Sequence, residues 1–315
     1  MNKMIFPLIA FLFFSKMLVA QVDTVPPVLV CKSSIDVGTL FLCVMPVYPI
    51  DLIDSLTDNT QMPIEIGIRK ACTGSGFPLD ALNMPITTVT FTWGDWGEQA
   101  AEVWARDAAG NVTSCITPVY VFDPTGSCDP FIKITTNTPA QQGIHNVNIG
   151  VKGNHCYWGP FDYQVSTYTW GYWEGISNLA PTGSEITITP SKNINPLNGV
   201  STYDLVLIQK HILGIELLDS PWKIIAADAN QDGKVTTLDI ITLRKLILGI
   251  TTELPNGKSW RFAPKNYVFP NPLNPFQPPL PERIEVPNTA DPAPSNFQFT
   301  GVKIGDVDFS ADPNQ

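Results

Sequence analysis

Positive charge, histidine and long apolar runs are all scarce in this chain. Lysine and arginine number 19 against 29 aspartates and glutamates, charged residues make up 15 %, and the formal net charge is −10. Nucleic acid and anionic membrane surfaces therefore find no electrostatic footing, whereas an excess of carboxylates suits cations. The three histidines are His145, His155 and His211, and none stands in an HExxH pattern. GxSxG, a phosphate-cradling glycine loop and CxxC are missing too, so the spacings that mark common hydrolase, nucleotide and redox sites are absent. Paired carboxylates for glycoside hydrolysis are a three-dimensional property, and no catalytic role is expected. After residue 20 no apolar stretch is long enough to span a bilayer, so no membrane insertion is expected. The second half of the chain lacks cysteine: all six (Cys31, Cys43, Cys72, Cys115, Cys128, Cys156) lie before residue 160.

Residues 1–20, MNKMIFPLIAFLFFSKMLVA, carry Lys3, an apolar run from Met4 to Phe14 and a small residue at Ala20. This is the pattern of a secretory signal peptide, and it predicts a secreted chain working outside the cell or at its surface. Six cysteines in an exported chain are read as disulfides, with fifteen pairings open. From 21 to 126, short alternating runs such as MPIEIGIRK, TTVTFTW and AAEVWARD are separated by Gly, Pro and Asp/Asn clusters, the signature of a β-sandwich. Residues 127–191 supply further candidate strands, including HNVNIGVKG and SEITITPSK, in a span short for an independent sandwich. Within it, YQVSTYTWGYWEG sets Tyr168, Trp170 and Tyr172 at every second position. On a strand they share one face. A core face is the favoured reading, because buried aromatics dominate sandwich cores; the alternative is an exposed platform on which sugar rings stack.

DTVPPVLVC at Asp23 to Cys31, followed by WARDAAGNVTSC at Trp104 to Cys115, resembles the hyalin-repeat type of immunoglobulin-like domain. The resemblance implies an Ig-like fold, a structural or adhesive role and a Cys31–Cys115 disulfide, leaving Cys43–Cys72 and Cys128–Cys156 as the remaining pairs. The 127–191 segment is similar to small prealbumin-like or carboxypeptidase-regulatory-like modules by its position alone.

Beyond Pro190 the period changes. STYDLVLIQKHILGI at Ser201 to Ile215 and TTLDIITLRKLILGI at Thr236 to Ile250 stand 35 positions apart and match at Thr202/Thr237, Asp204/Asp239 and Lys210/Lys245. This is an internal duplication. Each copy predicts a helix, with Leu205, Ile208, Ile212 and Ile240, Leu243, Ile247 on one buried face and Gly214 or Gly249 as the C-terminal cap. The stretch DANQDGKVTTLD fills a twelve-position calcium loop: Asp228, Asn230 and Asp232 at 1, 3 and 5, Gly233 at the turn, the carbonyl of Lys234 at 7, Thr236 at 9 and Asp239 at 12. In the first copy Asn193, Asn195, Asn198, Ser201 and Asp204 take the corresponding roles, with one carboxylate against three, so a weaker site is expected.

A duplicated loop and helix with Asp at position 12 resembles the dockerin domain. That resemblance implies two Ca2+ ions, the first held more weakly, and attachment to a cohesin-like protein or a neighbouring extracellular domain. The Pro-rich stretch after Ile250 reads as a wrap or linker ending in a strand, and Asp306 and Asp308 read as turn carboxylates, with assistance to a calcium site as the alternative. The expected fold class is mainly β with a small α module: an Ig-like β-sandwich (21–126), a second small β-sandwich-like module (127–191), and a dockerin-like two-helix calcium domain with an irregular Pro-rich tail (192–315). The expected function is a non-catalytic, secreted attachment protein. The alternative is a carbohydrate-binding accessory protein of a polysaccharide-degrading system, with polysaccharide as its partner.

Overall fold

The computed structural model describes residues 23–38, 43–124, 132–175, 180–287 and 296–315. The expected leader at 1–20 and Cys128 lie outside them. Among the described residues no helix is long and apolar enough to cross a membrane.

The first β unit comprises β1 (Val28–Cys31), β2 (Ile35–Gly38), β3 (Val44–Val47), a single helical turn α1 (Pro49–Leu52), β4 (Ile53–Thr57), β5 (Glu65–Lys70), β6 (Val89–Thr92), β7 (Gly97–Arg106) and β8 (Val112–Phe122). Strands β2, β8, β7 and β5 form one sheet in that order, with β2 parallel to β8; β1–β4 and β3–β6 are separate antiparallel ladders. Period-two alternation turns Val103 and Val119 into a core with Val37, Val47, Leu52, Ile68 and Phe91, drawn from the four-stranded sheet, the β3–β6 ladder and α1. Asp107 accepts the amides of Ala109 and Asn111 and so closes the β7–β8 turn. A disulfide joins Cys31 of β1 to Cys115 of β8, 84 positions away.

The other pairings expected for the cysteines are corrected. Cys72 bonds Cys156, not Cys43, and Cys156 is therefore not available to Cys128. The expected pairs kept each cysteine close to its partner in sequence. In the fold, the turn after β5 abuts the hairpin tip of the second unit, and the bond crosses that junction. Polar contacts reinforce it: Lys70 Nζ donates to Asp95 at 2.8 Å in a buried ion pair, and Asp95 also accepts the Thr182 hydroxyl at 2.7 Å. A buried pair stays favourable only when its remaining oxygens are hydrogen-bonded, and here they are.

The second unit starts with β9 (Ile132–Asn137), β10 (Asn148–His155), β11 (Gly159–Ser166), β12 (Tyr172–Gly175) and β13 (Glu185–Ser191). The helices follow, α2 (Thr202–Ile212), α3 (Pro221–Ala227) and α4 (Thr237–Ile247), and then β14 (Trp260–Pro264), β15 (Ile284–Val286) and β16 (Asn296–Lys303). The sheets run β11-β10-β13-β15 and β12-β9-β16-β14, with β16 parallel to β9. The boundary expected at 191/192 therefore cuts through two hydrogen-bonded sheets. The short 127–191 segment buries its apolar faces only by taking in strands from beyond the helices: Trp260, Phe262, Phe297 and Phe299 lie in one core with Ile134, Ile149 and Ile188. Residues 192–259 are an insertion between β13 and β14.

Ser201 and Thr236 cap α2 and α4 with reciprocal capping boxes to Asp204 and Asp239. At the other ends Ile215 donates to Lys210 O and Ile250 to Lys245 O, the six-to-one bond of the Schellman motif, around Gly214 and Gly249 at φ +68°. Leu205, Ile208, Ile240 and Leu243 are buried together. The same core takes Ala263, Val302, Ile304 and Val307 from the end of the chain.

If β14–β16 complete the second unit, residues 127–191 expressed alone give a collapsed amide proton spectrum, and residues 127–315 give a dispersed one. A dispersed spectrum from the short piece contradicts the shared sheet.

Candidate metal centre

The second loop leaves α3 at Asp228, whose side chain is fully buried. Its Oδ1 accepts the Asp232 amide at 3.1 Å and its Oδ2 the Gly233 amide at 3.0 Å. Asn230 Oδ1 also accepts from Asp232 N, at 3.0 Å, and Asp232 Oδ1 accepts from Lys234 N at 3.0 Å. From the far end, Asp239 Oδ2 takes the Thr236 amide at 2.8 Å and its Oδ1 reaches back to the Asn230 amide at 3.1 Å. Six residues chosen on spacing thus form one hydrogen-bonded loop, with Lys234 contributing its amide. Burial pushes the Asp228 carboxyl up to about 6 despite the two amides, and the charge of Asp239 adds to the rise. The nearest cation is Arg261, with Nη1 4.0 Å from Asp228 Oδ2. Buried oxygens, already oriented by backbone amides and facing a second carboxylate, are a donor set that fits a hard cation.

The first loop is built differently. Ser201 and Asp204 meet, the serine amide and hydroxyl donating to Asp204 Oδ2 at 2.8 and 2.9 Å. Asn198 instead exchanges two hydrogen bonds with the backbone of Asp312. No described hydrogen bond links the side chain of Asn193 or Asn195 to Asp204. Opposite Asp204 stand Asp306 and Asp308, and the three offer ligand oxygens within 4.8 Å of one another.

This C-terminal segment reproduces the first half of the second loop residue by residue. Asp306 Oδ1 accepts from Ser310 N at 3.0 Å and Oδ2 from Ala311 N at 2.9 Å, as Asp228 does from residues four and five positions on. Asp308 Oδ1 accepts from Ser310 N at 3.0 Å, as Asn230 does from Asp232. Phe309 takes φ +62° where Gln231 takes +58°. The half-loop 306–311 then abuts Gly199, where a Cβ would lie 2.5 Å from the Ala311 Cα; no other residue fits there. From Gly199 to Asp204 the chain supplies the second half, in register with Lys234 to Asp239. Asp204 Oδ1 accepts the Val307 amide at 2.9 Å and joins the halves. Sequence reasoning sought the first half upstream, at 193–198, because a loop is ordinarily continuous. The signal was the D-x-D-x-S spacing of Asp306, Asp308 and Ser310, which matches D-x-N-x-D at 228–232. Burial pushes Asp306 up to about 7, and its hydrogen bond with Asp308 acts in the same direction.

Residues 198–248 match the dockerin type I domain family. The match begins at the junction where the split loop resumes, and residues 306–311 lie outside the matched span. Dockerin type I domains typically bind calcium. No curated protein matches the chain. Among solved structures it is similar to the Bacillus anthracis TIE protein, at 9 % identity over 55 % of this chain and 36 % of that one, with a TM-score of 0.19. It is also similar to dimeric latent PorU from Porphyromonas gingivalis, at 12 % identity over 55 % of this chain and 19 % of that one, with a TM-score of 0.16. The chain spans well under two thirds of either protein, and neither likeness bears on its fold or function.

The aromatic residues do not share a strand face. Tyr168 and Trp170 stand on the turn before β12, and Tyr172 opens it. Tyr168 is 59 % exposed and Trp170 76 %, which overturns the core-face reading: a turn does not alternate its side chains between two faces.

With Asp228 at about 6, calcium competes with a proton in acid. For the loop that holds Asp228, titrations of the full chain give an affinity that is flat above pH 6 and falls by up to roughly tenfold per pH unit below it. The calcium-free protein shows the opposite linkage. A carboxyl raised from 3.8 to about 6 by folding stabilises the folded state below pH 4, and that contribution is lost as pH rises through 6.

Proposed function

We propose that the chain is a secreted, non-catalytic attachment protein whose dockerin module binds two calcium ions and docks a cohesin-type domain. One ion is held by Asp228, Asn230, Asp232, Thr236, Asp239 and the Lys234 carbonyl. The other is held between Asp204 and Ser201 on one side and Asp306, Asp308 and Ser310 on the other. Calcium supplies charge to the buried carboxylates, and the residues themselves set the start of each helix. Dockerin modules occur in extracellular and cell-surface systems, which together with the leader-like residues 1–20 supports an external location.

The observation that carries the docking role is a duplicated apolar set left in solvent. Tyr203, Val206, Leu213 and Ile215 are exposed, and so are Leu238, Ile241, Leu248 and Ile250, each at the equivalent place in the second copy. Eight apolar side chains are exposed on one small helical module, and their pairing follows the duplication. A partner that reads one copy meets the same chemistry on the other.

Two measurements test this. Calorimetric titration of the full chain gives two calcium ions; Asp306→Ala removes one of them, and Asn195→Ala leaves both. The loss at the altered site exceeds the roughly 10–100-fold that removal of a merely supporting partner costs. Retention of both ions in Asp306→Ala overturns the split site. Against immobilised cohesin domains, the chain is captured in calcium and released by a chelator. Leu213→Asp with Leu248→Asp weakens capture by at least roughly tenfold, the order expected for truncating an apolar anchor. Capture by no cohesin-type domain contradicts the docking role.

A further inference from the structure

The exposed indole of Trp170 stands at the mouth of a groove of about 820 Å3 between the second β unit and the C-terminal segment. The turn that presents it is held by contacts rather than left loose. Trp170 is not glycine yet takes φ +78°, a backbone region that L-residues occupy only when the surroundings impose it. His145 Nε2 accepts its amide at 2.7 Å. Gly171 O accepts the Thr136 amide at 2.7 Å. At Gly143 a Cβ would collide with the Trp170 carbonyl, so the turn lies directly on that backbone. The second wall is tied to the same residue, because the His145 amide donates to Pro313 O at 3.0 Å. Both walls therefore meet on His145 and the groove is preformed.

Its chemistry is mainly amide, hydroxyl and aromatic, and the Asp312 carboxylate on the lining is engaged by the Asn314 amide at 2.9 Å and Gln315 Nε2 at 3.3 Å. Asn137, Gln141, Gln142, Ser310 and Asn314 line it beside the indole. Lys133, also on the lining, has its ammonium engaged by Glu174 at 2.8 Å and set 4.5 Å from the centre of the Tyr172 ring, which leaves little charge to attract an anion. We infer that this groove binds a neutral carbohydrate chain, with Trp170 as the platform for a sugar ring. The apolar C–H face of a pyranose covers an indole at little desolvation cost, and its hydroxyls need donors and acceptors of the kind that side-chain amides provide. An apolar peptide groove would show the reverse balance, with aliphatic lining and few amides. None of the groove's lining residues lies on the exposed helix faces, and the groove shares Ser310 with the calcium site between Asp204 and Asp306.

Affinity electrophoresis of the full chain in calcium, through gels containing hydroxyethylcellulose, xylan, galactomannan or laminarin, tests it. At least one of these neutral polysaccharides retards the native chain. Trp170→Ala weakens that retardation by at least roughly tenfold, while Trp170→Phe keeps most of it. Circular dichroism and the thermal midpoint of Trp170→Ala match the native chain, since the ring packs little. Gln142→Ala, which leaves the turn untouched, gives a smaller loss. Retardation by none of the four, undiminished retardation of Trp170→Ala, or binding confined to a proline-rich peptide or to polygalacturonate each overturns the proposal.

Discussion

The Asp204 carboxylate joins two stretches of chain that lie 103 residues apart. Its Oδ2 takes the amide and hydroxyl of Ser201 and thereby starts α2; its Oδ1 takes the Val307 amide and thereby places the C-terminal segment. A fully buried carboxylate is tolerable only if its oxygens are satisfied, so the helix start and the chain closure depend on one another. Loss of either half leaves one oxygen of a buried carboxylate without its partner.

Closure of that kind explains why the helical module is an insertion rather than an appendage. Strand β16 serves two cores along its length: Phe297 and Phe299 pack in the sandwich, while Val302, and Ile304 just beyond the strand, pack against the helices. Neighbouring β14 does the same with Phe262 and Ala263. Two helices of eleven residues are too short to be stable alone in water, and the sheet edge supplies the apolar surface they lack. Anything that orders residues 306–311 therefore bears on both the helices and the sandwich. Those same residues adjoin the wall of the Trp170 groove.

The covalent links follow a parallel logic. Cys31–Cys115 closes the first β unit on itself, and Cys72–Cys156 closes it on the second. Around the second bond the buried Lys70–Asp95–Thr182 contacts make the junction a packed interface. The groove, the helix faces and the calcium loops all lie on the side of the chain beyond that junction.

What the sequence by itself determined is everything that depends on residues a few positions apart. The capping boxes at Ser201/Asp204 and Thr236/Asp239, the glycine-ended helices, the buried Leu205–Ile208 and Ile240–Leu243 faces and the ligand order from Asp228 to Asp239 are all legible, because helix and loop geometry is set by local spacing. Tertiary structure alone decided which segment completes the first loop, that Cys72 meets Cys156, that the tail strands belong to the second sandwich, and that Trp170 faces solvent. Each of these needs chain segments distant in sequence to lie side by side. Strand order and burial, which no local spacing encodes, determine that adjacency.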